Sequence, residues 1–208
     1  MTSTGDRGTT RWSRVSGGLE SARAYQERLD QRLREGADLD GEARFVDTRT
    51  TGTARILDAG CGTGRIAATL SGMGHDVLGV DADPGMIQVA REHHEGTSFA
   101  HADLSDLTLS GPPFDIVLLA GNVVPYLADG TLETVLERLA AHLVTDGRLI
   151  AGWSLPGHQP GGAADVSLED YDTAATAAGL EATEQYSTWD AAPWPGNGAY
   201  ALTVHQRR

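Results

Sequence analysis

The chain contains no lysine: all 16 of its basic residues are arginine. Schiff-base chemistry and a Walker-type phosphate loop both need that amine, so both are excluded. Cysteine is nearly absent as well, and the single Cys61 permits neither an internal disulfide nor a cysteine-rich zinc site. No apolar run approaches the roughly 18 residues that suggest a membrane span, and none reads as a secretory leader, so the expected setting is cytoplasmic with no membrane partner. Positive charge is also scarce. A net charge of -13 at pH 7 argues against a nucleic-acid partner, because binding a phosphate backbone needs a basic field. Small molecules are the expected partners.

What is present centres on Ile56-Leu57-Asp58-Ala59-Gly60-Cys61-Gly62-Thr63-Gly64-Arg65, an apolar strand that ends in three alternating glycines and opens a helix. Glycine lets the chain turn tightly and lie flat against a nucleotide-like ligand. The dinucleotide fingerprint needs its third glycine at the sixth position from Gly60, but Arg65 stands there. Asp58 inside the turn would also repel a pyrophosphate. It suits the cationic ammonium and sulfonium of S-adenosylmethionine.

Val77-Leu78-Gly79-Val80-Asp81 is a second strand ending in an acid, about twenty residues after the glycines, where a ribose-binding carboxylate is expected. Asp83 reads as a helix cap with Pro84 behind it, and Met86 falls on the opening turn, within reach of an adenine face. Phe99-Ala100-His101-Ala102-Asp103-Leu104 is a third strand, with Asp103 placed to accept from an adenine amino group. Each feature alone has an ordinary structural explanation as a tight turn, a cap or a strand-end acid. Their recurrence at three successive strand ends does not. Cys61 reads as a small buried filler that contributes a backbone amide, since no base stands beside it.

Through ILDAGCGTG, VLGVDADPGMI, FAHADL and the strand Phe114-Asp115-Ile116-Val117-Leu118-Leu119, the chain resembles the Rossmann-like (class I) S-adenosylmethionine-dependent methyltransferases over roughly residues 40 to 153. The resemblance implies S-adenosyl-L-methionine as cofactor. Gly60 and Gly62 would line its methionine part, Asp81 with Ala82 beside it the ribose, and Asp103 and Leu104 the adenine. Gly121 and Asn122, after the fourth strand, would face the sulfonium and the acceptor. The alanine, glycine and arginine richness is that of a GC-rich bacterial genome.

Strands alternate with helices, which predicts a doubly wound, mostly parallel α/β sheet of seven strands. The resemblance adds that the last strand runs antiparallel. A fifth strand is expected at Arg148–Trp153, after a helix through Leu132 to Leu143 that ends near Gly147, and the last two at Leu180–Thr188 and Ala199–His205. Residues 1–18, rich in Ser, Thr, Gly and Arg, read as a mobile arm, and 19–208 as a single domain. Within it, 19–50 hold N-terminal helices. The first of these, Leu19–Arg34, could lie across the cofactor cleft as a lid that brings in Tyr25, or pack on the sheet's flank.

No catalytic residue emerges. His101 and His158 are candidate bases by residue type only, and an amine or thiol acceptor would need none. Metal is not expected, because the metal-dependent catechol-type pattern places acids where Gly121 and Trp153 stand. Asn122-Val123-Val124-Pro125-Tyr126 departs from the Asn-Pro-Pro-Tyr signature that grips planar amino groups, which disfavours nucleobase or glutamine substrates. Tyr126, Trp153, Trp189 and Trp194 follow strands four to six, so an aromatic-walled acceptor pocket is expected, suited to a planar, apolar or cationic amine molecule. The expected reaction is in-line methyl transfer to a small molecule. Two alternatives stay open: a nicotinamide-dependent oxidoreductase, against which the glycine spacing and Asp58 tell, and a non-catalytic S-adenosylmethionine-binding regulatory domain.

Overall fold

The computed structural model describes residues 9–208. Seven strands form one sheet: β1 (Arg55–Ala59), β2 (Asp76–Asp81), β3 (Ser98–His101), β4 (Phe114–Leu119), β5 (Leu143–Ser154), β6 (Leu180–Tyr186) and β7 (Tyr200–Arg207), in the order β3-β2-β1-β4-β5-β7-β6. β1 to β5 pair parallel, and β7 runs antiparallel to both β5 and β6. The helices are α1 (Arg11–Val15), α2 (Leu19–Arg34), α3 (Gly41–Asp47), α4 (Arg65–Gly72), α5 (Pro84–His93), α6 (Val123–Tyr126), α7 (Leu132–Ala141) and α8 (Leu168–Ala177).

Alternation along the strands builds two cores. Leu57, Val117, Leu119, Leu149 and Ala151 face α7 and α8, while Ile56, Ile116, Leu118 and Ile150 face α3 and α4. Because both faces are covered, the central strands are continuous apolar runs. From β1 the chain steps outward to β2 and β3, then crosses to the other side for β4. The strand order therefore reverses between β1 and β4, and a crevice opens beyond their carboxyl ends, where ligands of open α/β sheets bind.

Three sequence expectations change. β5 starts at Leu143 rather than Arg148, because Asp146 (φ 64°) and Gly147 make an irregularity inside the strand instead of a break before it. The expected arm falls partly on residues 1–8, which lie outside the described residues. Over residues 9–18 the structure differs: α1 is docked, with the Trp12 indole N–H donating to Asp83 (3.0 Å) and Arg11 paired with Asp129 (2.7 Å). Third, α2 rests on α5 through Ala22, Met86 and Val89, yet its Tyr25 and Leu29 also reach the crevice. Among the described residues, no helix is long and apolar enough to cross a membrane.

Candidate cofactor and acceptor site

The glycine turn after β1 is tied down to β2 before any ligand is considered. The Gly60 and Cys61 amides both donate to the Val80 carbonyl (2.7 and 2.9 Å), and the Gly62 amide donates to Asp81 Oδ2 (2.8 Å). Two of the glycines have opposite reasons to be there. A Cβ on Gly60 (φ 83°) would lie 2.4 Å from the Val123 side chain, so packing forbids it. A Cβ on Gly62 (φ 55°) would meet nothing within 4 Å, so there the backbone faces open space that a ligand can approach.

That space is a cleft of about 1040 Å³, its open mouth included, and all eleven residues singled out for the cofactor line it: Asp58, Gly60, Cys61, Gly62, Asp81, Ala82, Met86, Asp103, Leu104, Gly121 and Asn122. Asp58 is 1% exposed, and its Oδ2 has no hydrogen-bond partner. Burial pushes its pKa up to about 7, against the pull of the nearby Arg65 charge. An unpaired carboxylate oxygen in a cavity wall is costly unless a cation or donor meets it, which fits the ammonium of a methionine moiety. Asp81 receives the Asp83 amide on Oδ1 (2.9 Å) as well as Gly62 on Oδ2, leaving further lone pairs on both oxygens for a diol. Burial raises its pKa. Asp103 uses Oδ1 for the Ser105 amide and hydroxyl (2.8 and 2.7 Å). Burial also holds Cys61 well above the usual thiol range, which suits a filler and not a nucleophile.

The acceptor expectations fare differently. Tyr126 lines the cleft, but Trp153, Trp189 and Trp194 do not. Trp153 is fully buried beneath the sheet, 4.5 Å from the Tyr171 ring, with its indole N–H on the Val166 carbonyl (3.0 Å). Trp153→Ala should therefore lower unfolding free energy by about 3–5 kcal/mol in a denaturant titration, as a lost core aromatic does. Trp194 packs over Gly198 and against the core on the α7 and α8 side. Trp189 sits edge-on to Phe45 (5.4 Å) and donates to the Tyr200 hydroxyl (3.0 Å). It walls a second cleft with Tyr200, Asp38, Glu42, Arg44 and Asp190, and that cleft shares Gly121 with the first.

Neither candidate base reaches either cleft. His101 bonds the Ala82 carbonyl (3.0 Å) beside a separate shallow groove, and His158 is exposed in the loop after β5. Asn122, expected to face the sulfonium and the acceptor, does line the cleft, but its amide oxygen accepts from the Ser154 amide (2.7 Å) and clamps the β4 and β5 ends together. Among the described residues, no group of three or more His, Cys, Asp or Glu could hold a metal ion. Sequence reasoning missed Trp12, Thr63 and Arg65 as cleft walls. Thr63 and Arg65 stood inside the glycine motif and were legible there.

A reversed strand order, a glycine turn and three carboxylates at or just past the carboxyl ends of β1, β2 and β3 place this cleft where open α/β domains take nucleotide-like cofactors. A family model described as a methyltransferase domain matches residues 56–147. A solved TehB-like S-adenosylmethionine-dependent methyltransferase from Corynebacterium glutamicum is 33% identical, with a TM-score of 0.82 over 90% of this chain and 98% of that one. The dTDP-3-amino-3,6-dideoxy-α-D-glucopyranose N,N-dimethyltransferase of Streptomyces fradiae is 31% identical over 146 residues, 69% of this chain and 56% of that protein. A ubiquinone biosynthesis O-methyltransferase of Azorhizobium caulinodans is 40% identical over 79 residues, 36% of this chain and 31% of that protein. The matches thus span about half or less of these two curated relatives. The chain belongs to the class I S-adenosylmethionine-dependent methyltransferases.

Proposed function

We propose that this chain transfers the methyl group of S-adenosylmethionine to a small-molecule acceptor by in-line displacement. The buried, unpartnered Asp58 Oδ2 in the cleft wall is the observation that carries the cofactor assignment. Asp58 would hold the ammonium, Asp81 the ribose diol, Asp103 the adenine amino group, with Gly62 presenting open backbone between them. The bound cofactor supplies an electrophilic methyl on a sulfonium. The chain's contribution is alignment, which for well-oriented reactants is worth on the order of 7–11 kcal/mol.

The second cleft supports the acceptor's position, because it meets the first at Gly121, a residue with no side chain to stand between them. Its Trp189 and Tyr200 rings and its carboxylates suit a small ring-bearing or amine-bearing molecule. Among the described residues no histidine lines either cleft, and burial pushes the Tyr200 hydroxyl far above neutrality. An acceptor that is already nucleophilic once deprotonated, an amine above all, fits this surface better than an alcohol that needs a strong base. Two relatives are named for N- and O-methylation of small molecules.

Calorimetric titration should show binding of S-adenosylmethionine and S-adenosylhomocysteine and none of reduced nicotinamide dinucleotide, and labelled methyl should appear in amine-bearing members of a metabolite panel. Absence of heat with both sulfur ligands would overturn the cofactor assignment. Label appearing only in alcohols would overturn the acceptor class.

A further inference from the structure

The segment before α2 crosses the crevice instead of trailing from it. Thr10 and Trp12 line the cofactor cleft, and α1 is fastened at both sides of the point where the strand order reverses. On the β2 side, the Trp12 indole N–H and the Ser16 hydroxyl both donate to Asp83 Oδ2 (3.0 and 2.5 Å), while Asp83 Oδ1 caps α5. On the β4 side, Arg11 and Arg14 reach the two oxygens of Asp129 (2.7 and 3.0 Å). Between them, Trp12 meets the Tyr126 ring edge to face, 5.5 Å between centroids.

The two fastenings differ in kind. The Asp83 side is partly buried, and beyond it the Gly17-Gly18 pair, with Gly18 at φ 67°, leads into α2. The Asp129 side is exposed, its carboxylate 54% accessible, so its ion pairs are individually weak and open to screening by salt. We infer that Trp12 is a cofactor-site residue carried on α1, and that α1 is a strap whose Asp129 clasp releases to let the cofactor exchange. α2 also brings Tyr25 and Leu29 to the cleft wall, but it is packed along α5, whereas α1 is held by the exposed pairs to Asp129. The identity of the ligand rests on the methyltransferase reading, and the strap makes its own demands on kinetics and accessibility.

A chain without lysine makes the test direct, because trypsin then cuts only after arginine, and Arg11 and Arg14 lie on the strap. In the parent, S-adenosylhomocysteine should slow tryptic cleavage after both. Asp129→Asn, at an exposed position outside both clefts, removes the Arg11 and Arg14 pairs together and should speed that cleavage about three- to tenfold, the value of two surface ion pairs, as should raising salt to about 0.5 M. In stopped flow, the same variant should raise association and dissociation rates for S-adenosylhomocysteine together, with little change in Kd. Trp12→Ala should weaken binding about tenfold through faster dissociation, and Trp12→Phe, which keeps a ring on Tyr126, should fall between. A parent that binds S-adenosylhomocysteine without protection of Arg11 and Arg14, or an Asp129→Asn variant with unchanged rates, overturns the strap alone. A parent that binds no S-adenosylhomocysteine overturns the methyltransferase reading and the strap's ligand with it.

Discussion

Asp81→Ala is expected to weaken S-adenosylmethionine binding by two orders of magnitude or more. The carboxylate stands at the end of β2 and holds the Gly62 and Asp83 amides, one on each oxygen, so a ribose diol would add two charge-assisted bonds to lone pairs already aimed by the fold. At about 1.5–3 kcal/mol for each bond to a charged group, losing both removes about 3–6 kcal/mol. The variant also frees two backbone donors, which should lower the melting temperature of the unliganded protein by several degrees, at roughly 2–4 °C per kcal/mol for a chain of this size. Asp81→Asn separates the effects: it keeps an acceptor and most of the shape but not the charge, so it should restore stability more than affinity. Calorimetry and thermal unfolding on the three proteins check this. Parent-like affinity in Asp81→Ala with the fold retained would remove Asp81 from the cofactor site.

The cofactor residues were legible because their chemistry is local in sequence. Asp81 ends β2, Asp58 stands one residue before the end of β1, and Asp103 lies two residues beyond β3, which stops at His101 and not at Leu104 as the sequence suggested; an apolar run followed by an acid places that acid at the crevice whatever the distant packing does. Asp83 shows the same locality, capping α5 through the Gly85 and Met86 amides two and three residues ahead. The acceptor residues were not legible, since a tryptophan near a strand end faces the ligand or the core according to register. Trp153 shares its face with Leu149 and Ala151, and all three point into the core beneath α7 and α8. Only the pairing of β5 with β4 and β7 fixes that choice.

Trp12 escaped for a related reason. Among Ser, Thr, Gly and Arg a lone tryptophan lacks the periodicity that marks a packed helix. Its partner Asp83 lies 71 residues away, and the Arg11 partner Asp129 lies 118 away. Contacts between side chains so far apart leave no trace in local pattern. The same limit explains Asn122: it does stand at the cleft, but the bond from Ser154 that occupies its oxygen comes from the next strand across the sheet.

Cofactor affinity should also fall as pH drops below about 7, by up to tenfold per unit. Asp58 is fully buried with one oxygen unpaired, and burial lifts its pKa to about 7, so near neutrality it is poised between forms. Only the carboxylate pairs with an ammonium; below pH 7 each bound cofactor must first displace a proton, while above it affinity levels off. Stability of the unliganded protein runs the other way. The folded pKa of about 7 exceeds the model-peptide 3.8, so between these values the native state binds more protons than the unfolded chain, and unfolding free energy falls as pH rises through that window. The loss is on the order of 4 kcal/mol and is complete just above pH 7. Asp58→Asn should remove the Asp58 share of both slopes: its stability should decline less than the parent's from pH 4 to 8, with the buried Asp81 still contributing, and its affinity should be low at every pH. Titrations of the parent and this variant across that range decide the matter. An affinity in the parent that does not change between pH 5.5 and 7.5 would mean that binding leaves the protonation of Asp58 unchanged, so that the ammonium is held elsewhere.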